Sequence, residues 1–340
     1  LYEIFSVLFY YIRQGARIIR LDAIAYLWKK PGTSCLNLPE THAIVKLIRQ
    51  LSELIDPNVI ILTETNVPHE ENLSYFGNNY DEAEMIYQFP LPALLLYTLY
   101  SGSSSHLSNW AKSVPETKGW ATYLNYTASH DAIGVRPLEG LLPGKEKEEL
   151  LEKMTEFGGY ISTKSNPDGS ESPYEINITY YDALKGTQNG TDNLQFERFI
   201  CSQTIMMALK GIPVFYIHSL LAATNYHAEV EKTGKFKTIN RKKLVYHDIV
   251  EQLNDEKSTT YKVFNELVRL IRIRKSEAAF HPDARQTVMD LGNQFFGLIR
   301  ITENDTLIRC ISNITNQQKD IRLGLPRKYI VYKDLITQEN

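Results

Sequence analysis

RIIRLDAIA (residues 17–25) and NVIILTETN (58–66) decide the fold. Each is a short run rich in Ile and Leu that carries an acid in its C-terminal half. Short apolar runs of this kind read as strands buried on both faces, the habit of parallel sheets. Between them, PETHAIVKLIRQLSELI (39–55) places apolar residues at 44, 47, 48, 51, 54 and 55. That is the helical period, and Pro39 stands where a first turn tolerates proline. Working outward, residues 2–14 read as a helix that ends at Gly15. MIYQFP (85–90) is a third strand, followed by a helix from about Leu91. ATYLNYTASHD (121–131) is a fourth strand, 193–210 a helix, and GIPVFYIHS (211–219) a fifth strand. Strand–helix alternation of this kind predicts a parallel α/β sheet or barrel.

The last part changes character. A long helix is predicted over about 258–276. After Phe280 the chain breaks into QTVMDL, FFGLIRI, TLIRCISN, DIRLGL and KYIVYKDLI, which read as a small antiparallel β domain. STKSNPDGSESP (162–173) reads as an exposed loop or hairpin tip. The chain has 340 residues, 43% of them hydrophobic and 23% charged, enough for a large core. Its formal net charge of −3 gives no footprint for nucleic acid. No run of 18 apolar residues suggests a membrane span. Cys35, Cys201 and Cys310 form no CxxC or zinc spacing, so a reduced, cytoplasmic setting is expected.

Three acids close predicted strands: Asp22 in RLDA, Glu64 in TETN and Asp131 in SHD. Strand interiors reject unpaired carboxylates, so acids at the ends of apolar strands call for a reason. In a β/α barrel this is the face where catalytic residues gather. Arg20 lies two residues before Asp22, and His130 precedes Asp131. The remaining histidines are scattered and read as structural or surface groups. No metal constellation and no glycine-rich phosphate loop is present, so no metal or cofactor is expected.

GARIIRLDAIAYLWK, ILTETN and NYTASHDAIG, in that order, resemble the conserved regions of glycoside hydrolase family 13, the α-amylase family. ENLSYFGNNYDEAEMIYQFPLPALLLYTL, DAIGVRPLEGLL, FYIHSLLA and TINRKKL resemble its sucrose phosphorylase branch, and within it the glucosylglycerate phosphorylase-like enzymes. The resemblance implies the C-terminal half of a (β/α)8 TIM barrel over 1–280, followed by an antiparallel β domain over 281–340. It also implies that the barrel's first three strands are missing, so a fragment of a longer product is expected.

The resemblance implies roles as well. Asp22 would be the nucleophile, Glu64 the general acid/base and Asp131 the stabiliser of the transition state. Arg20 would orient Asp22 and keep it ionised. His130 and Arg274 would contact the donor sugar, and Tyr226 stands where the branch places an aspartate on that sugar. Tyr26 is a further loop candidate for ligand contact. Retaining cleavage needs nucleophile and acid/base roughly 5–5.5 Å apart, with Glu64 protonated at the start and its pKa raised by burial and anionic neighbours. Lys237 and Arg241, in the loop after the last strand, are candidate phosphate contacts. The implied activity is a phosphorylase that moves glucosyl between phosphate and a small acceptor and yields α-glucose 1-phosphate. A hydrolase of the same family, or an inactive fragment, stays open. Expected partners are small molecules: an α-glucoside, phosphate and glucose 1-phosphate. No nucleic acid or membrane is expected, and a homodimer is open.

Overall fold

The computed structural model describes residues 1–166, 168–304, 306–324 and 333–337. Helix α1 (Tyr2–Arg13) leads to strand β1 (Ile18–Leu21), and α2 (Pro39–Ile55) leads to β2 (Ile60–Thr63). Then come α3 (His69–Leu73), β3 (Met85–Tyr87), α4 (Pro90–Ser101), α5 (Ser105–Ser113) and β4 (Thr122–Asn125). α2 starts at its proline, as expected, and buries Thr41, Val45, Ile48 and Ser52; of the apolar positions that suggested the helix only Ile48 is among them, and Leu47 and Leu54 are exposed. α4 is instead buried nearly all round, from Pro90 to Leu99, and stops at Gly102 in the left-handed region.

Next follow β5 (Ile133–Gly134), α6 (Gly144–Glu156), the hairpin β6 (Tyr160–Ser165) and β7 (Glu171–Asn177), and a small hairpin of β8 (Gly186–Thr187) and β9 (Gly190–Thr191). α7 (Gln195–Ala208) precedes β10 (Ile212–Pro213). Helices α8 (Ile217–Leu220), α9 (His227–Thr233), α10 (Tyr246–Asn254) and α11 (Thr259–Ser276) lead to β11 (Arg285–Val288), β12 (Phe295–Ile301) and β13 (Leu307–Asn313).

One sheet has the order β1-β2-β3-β4-β10, every neighbour pair parallel. The register fixes its two faces. Ile61, Ile86 and Tyr123 point outward into a core with Phe5, Leu8, Ile12, Val45 and Ile48 from α1 and α2. Leu62, Met85 and Leu124 share the other face with Tyr87 and Ile212. Arg20 is paired with Leu62, which puts it on that second face.

The antiparallel sheet β11-β12-β13 packs Phe296 and Leu298 into the core that also holds residues of α4, α7 and α11. Its strands match the predicted runs QTVMDL, FFGLIRI and TLIRCISN. Of the last two expected strands, the described residues 320–324 and 333–336 carry none. The rest of those runs, Leu325 and 328–332, lies outside the described residues. A third sheet, β5-β7-β6, was not expected beyond its exposed tip. The fifth parallel strand is also much shorter than predicted, because the chain turns into α8 four residues after Pro213.

Candidate active site

β1 ends at Leu21, and Asp22 follows it at once. Ala23 then adopts φ 47°, a left-handed conformation that costs an alanine energy. The turn aims the Ala23 N–H at Glu64, whose Oε2 accepts it at 2.8 Å. Glu64 follows β2, the strand paired with β1, so neighbouring strands bring the two acids to one edge. Arg20 donates from Nη1 to Asp22 Oδ1 at 2.5 Å and from Nε to the Tyr87 hydroxyl at 3.1 Å. Its guanidinium also sits 5.7 Å from the centre of the Tyr87 ring. Burial works to lower the Arg20 pKa, but Asp22, Tyr87 and Glu64 outweigh it and hold it above its ordinary value.

Glu64 is the perturbed acid of the group. Burial pushes its pKa up; the Ala23 N–H and the Arg20 charge pull it down; the charges of Asp22 and Asp131 add to the rise, and the net shift is upward. The charges of Asp22 and Asp131 thus both bear on Glu64. The buried Tyr126 meets Tyr87 edge-on at 5.3 Å, and burial raises its hydroxyl well above the ordinary value.

Asp131 lies in the loop after β4 and is held from the loop after β10. Arg241 donates from Nη2 to Asp131 Oδ1 at 3.0 Å and from Nε to the His130 carbonyl at 2.5 Å. Asn240 donates to the Asp131 carbonyl at 3.1 Å. His130 Nε2 lies 3.3 Å from Asp131 Oδ2. Lys237 Nζ stands 3.7 Å from Asp131 and 3.1 Å from the buried Glu175 of β7.

The third sheet covers one side of this cleft. Tyr174 of β7 lies near Tyr26 and Asn66, and burial first, then Tyr26, pushes its hydroxyl up to about 12. Gly134 makes the close packing possible, since a Cβ there would meet Asn66 Oδ1 at 2.5 Å. Tyr174, Glu175, Asn66 and Tyr87 were not singled out from the sequence. Only their position beside the three acids marks them.

Arg274 does not join the group, contrary to expectation. Its guanidinium donates to the carbonyls of Met207, Gly211 and Phe280 at 2.9–3.0 Å. Gly211 precedes β10, so Arg274 sits at the opposite end of the strand from the acids. Tyr226 also stands apart. Its ring lies 5.7 Å from Lys242 Nζ, and among the described residues no hydrogen bond links it to the three carboxylates. Its neighbour Asn225 is the anchor of that loop, bonded to Thr179 and Asp182. Among the described residues, no group of three or more His, Cys, Asp or Glu could hold a metal ion, and no helix is long and apolar enough to cross a membrane.

No protein-family model matches the chain. It is 41% identical over 317 residues to a glucosylglycerate phosphorylase of Escherichia coli, covering 93% of this chain and 56% of that protein. It is 42% identical over 321 residues to a glucosylglycerate phosphorylase of Spirochaeta thermophila, covering 94% and 54%. Its fold is similar to the crystal structure of sucrose 6F-phosphate phosphorylase from Thermoanaerobacter thermosaccharolyticum, with a TM-score of 0.76 at 26% identity, over 92% of this chain and 58% of that one. The chain spans about half the length of the curated relatives it matches. This similarity over nearly the whole chain makes it a homologue of the glucosylglycerate phosphorylases, in the sucrose phosphorylase branch of the α-amylase family.

Proposed function

We propose that this chain carries the catalytic carboxylates of a retaining α-glucoside phosphorylase. The observation that supports it most is the raised pKa of Glu64 beside the Arg20–Asp22 ion pair. Two carboxyls in different environments suit two roles, one a protonated acid and the other an ionised nucleophile. In this reading Asp22 attacks the anomeric carbon while Glu64 gives its proton to the departing acceptor oxygen. The C1–O bond to the acceptor breaks and an ester to Asp22 forms. Asp131 faces the positive charge that builds on the ring. Phosphate then attacks C1, the ester breaks, and Glu64 takes the phosphate proton, giving α-glucose 1-phosphate.

Phosphate must outcompete water for the glucosyl-enzyme. At roughly 55 M water and millimolar phosphate this needs a preference of about 10⁴, on the order of 6 kcal/mol. Lys237 and Arg241 are the cations beside Asp131 that suit this task, and they suit an anionic acceptor equally. The relatives at 41–42% identity are glucosylglycerate phosphorylases, so glycerate is the acceptor proposed here. The same reading takes the parallel sheet as part of a (β/α)8 barrel, residues 1–280 as the catalytic portion and 281–340 as a β domain. It assigns the protein to the cytoplasm, where its three free cysteines stay reduced.

The test is product analysis on the complete gene product with glucose 1-phosphate and fructose, glycerate or glycerol. A glucoside formed with glycerate, and phosphate released with it, is the expected result. If an α-glucoside yields free glucose at the same rate with and without phosphate, the protein is a hydrolase.

A further inference from the structure

A small cavity of about 10 Å³ lies beside Asp131, between the loop after β4 and the segment after β10. That is room for a water molecule. His218 of α8, Asn240, Ser219 and Thr179 line it together with Asp131. His218 Nδ1 and Asn240 Oδ1 are both buried, and neither has a hydrogen-bond partner among the described residues. The other end of each side chain fixes what these two atoms are. His218 Nε2 lies 2.8 Å from the Lys242 carbonyl, so a neutral ring carries its proton there and leaves Nδ1 an acceptor. Asn240 Nδ2 donates to the carbonyls of Asp131 at 3.1 Å and of Ser129 at 3.4 Å. Both partners are acceptors, so the amide nitrogen faces them and the amide oxygen faces away. A buried acceptor without a donor loses its hydration and gains nothing in return.

Two acceptors on one cavity suit a ligand with two protons to give. We propose that the cavity holds an ordered water that donates one proton to His218 Nδ1 and the other to Asn240 Oδ1, and that His218 positions Asp131 through it. The chain of bonds then runs from the Lys242 carbonyl through His218, the water and Asn240 to the Asp131 carbonyl. Tyr216 braces both sides of the water. Its ring stacks on His218 at 4.6 Å and 18°, and its hydroxyl donates to the Asn240 carbonyl at 3.0 Å. This network holds the backbone of Asp131, while Arg241 and Lys237 act on its carboxylate. A hard cation fits less well, because such ions take about six oxygen ligands and one of the two acceptors is a nitrogen. The effect on turnover rests on the phosphorylase reading; the water and the tautomer do not.

A crystal structure of the complete gene product tests the site, together with nitrogen NMR on histidine-labelled protein. The expected result is one ordered water within hydrogen-bond distance of both acceptors, and a His218 ring protonated at Nε2 alone. No water there, or a ring protonated at Nδ1, overturns the proposal, and this holds even where a variant fails to fold. Two variants separate the water from the ring's other bond. His218→Gln keeps a donor for the Lys242 carbonyl and offers the water nothing, whereas His218→Asn keeps the acceptor toward the water and gives up the Lys242 bond. Crystals of His218→Gln should lack the water and show Asp131 displaced; those of His218→Asn should keep both in place. Turnover of an α-glucoside should fall about tenfold in His218→Gln, with KM for the glucosyl donor little changed, and less than about twofold in His218→Asn. Equal losses in the two variants, or an unmoved Asp131 in His218→Gln, overturn the positioning role. The water in place and Asp131 displaced as expected, in a protein that forms no glucose 1-phosphate, uphold the site and sink the phosphorylase reading instead.

Discussion

The backbone N–H of Ala23 donates to Glu64 Oε2 at 2.8 Å, from a residue held at φ 47°. This one bond ties the end of β1 to the end of β2. It also leaves Glu64 with a single backbone donor against burial and two neighbouring negative charges, and its pKa stays raised.

That balance sets a pH dependence. A carboxyl with a raised folded pKa favours the folded state fully below its ordinary 4.5, and the contribution is lost as pH rises through the folded value. Glu64→Gln keeps the acceptor for Ala23 but never ionises. Its melting temperature should match the wild type near pH 4 and exceed it progressively toward pH 7. A difference that is flat across this range would mean that Glu64 carries no burial penalty.

Asp22→Ala addresses the proposed nucleophile. The side chain is mostly exposed and its pairing is with Arg20 alone, so at a surface the loss of stability is about 1 kcal/mol or less. Turnover of the complete gene product should fall by several orders of magnitude, since no other group replaces a covalent step. Turnover near normal with an unchanged melt assigns the nucleophile elsewhere.

These sites were unequally legible in the sequence. Asp22 and Glu64 stood out because each follows a short apolar strand, where a carboxylate is costly unless something pairs with it; Asp22 has Arg20 of β1 and Glu64 the Ala23 N–H. The bounds of α2 were readable from its helical period and its proline, but not its buried face, which includes Thr41 and Ser52 and leaves Leu54 exposed. The sheet carrying Tyr174 and Glu175 was not, because its strands mix polar and apolar residues and pair across a bulge near Ser162. Arg241 was visible only as a loop cation. Its partner Asp131 lies 110 residues away, and no local pattern encodes that contact. Arg274 was assigned to the sugar by resemblance alone, and no local pattern shows that its guanidinium is taken up by the carbonyls of Met207, Gly211 and Phe280.

Arg274→Ala should therefore act on stability. Its guanidinium satisfies three backbone carbonyls in a partly buried setting, and burial lowers its pKa. Leaving those acceptors without a donor costs on the order of 3 kcal/mol. Chemical denaturation should show that loss, while turnover per folded molecule stays within about twofold. A selective rise in KM for the glucosyl donor at unchanged stability would return Arg274 to the sugar site.

Arg241→Lys should act on turnover. Arg241 spans two acceptors at once, the His130 carbonyl and the Asp131 carboxylate, through Nε and Nη2. A lysine presents one point charge and cannot hold both, so the substitution is not conservative here. Both side chains are more than a third exposed, and the ion pair contributes at most about 1 kcal/mol to folding. Its effect is on where Asp131 points: a misplacement of about 1 Å costs on the order of 10² in rate. The expected outcome for the complete gene product is a kcat lower by about that factor, with KM for phosphate little changed because Lys237 remains beside the same carboxylate. Steady-state kinetics separate the two constants. An unchanged kcat with a raised phosphate KM would make Arg241 a phosphate contact rather than the residue that orients Asp131.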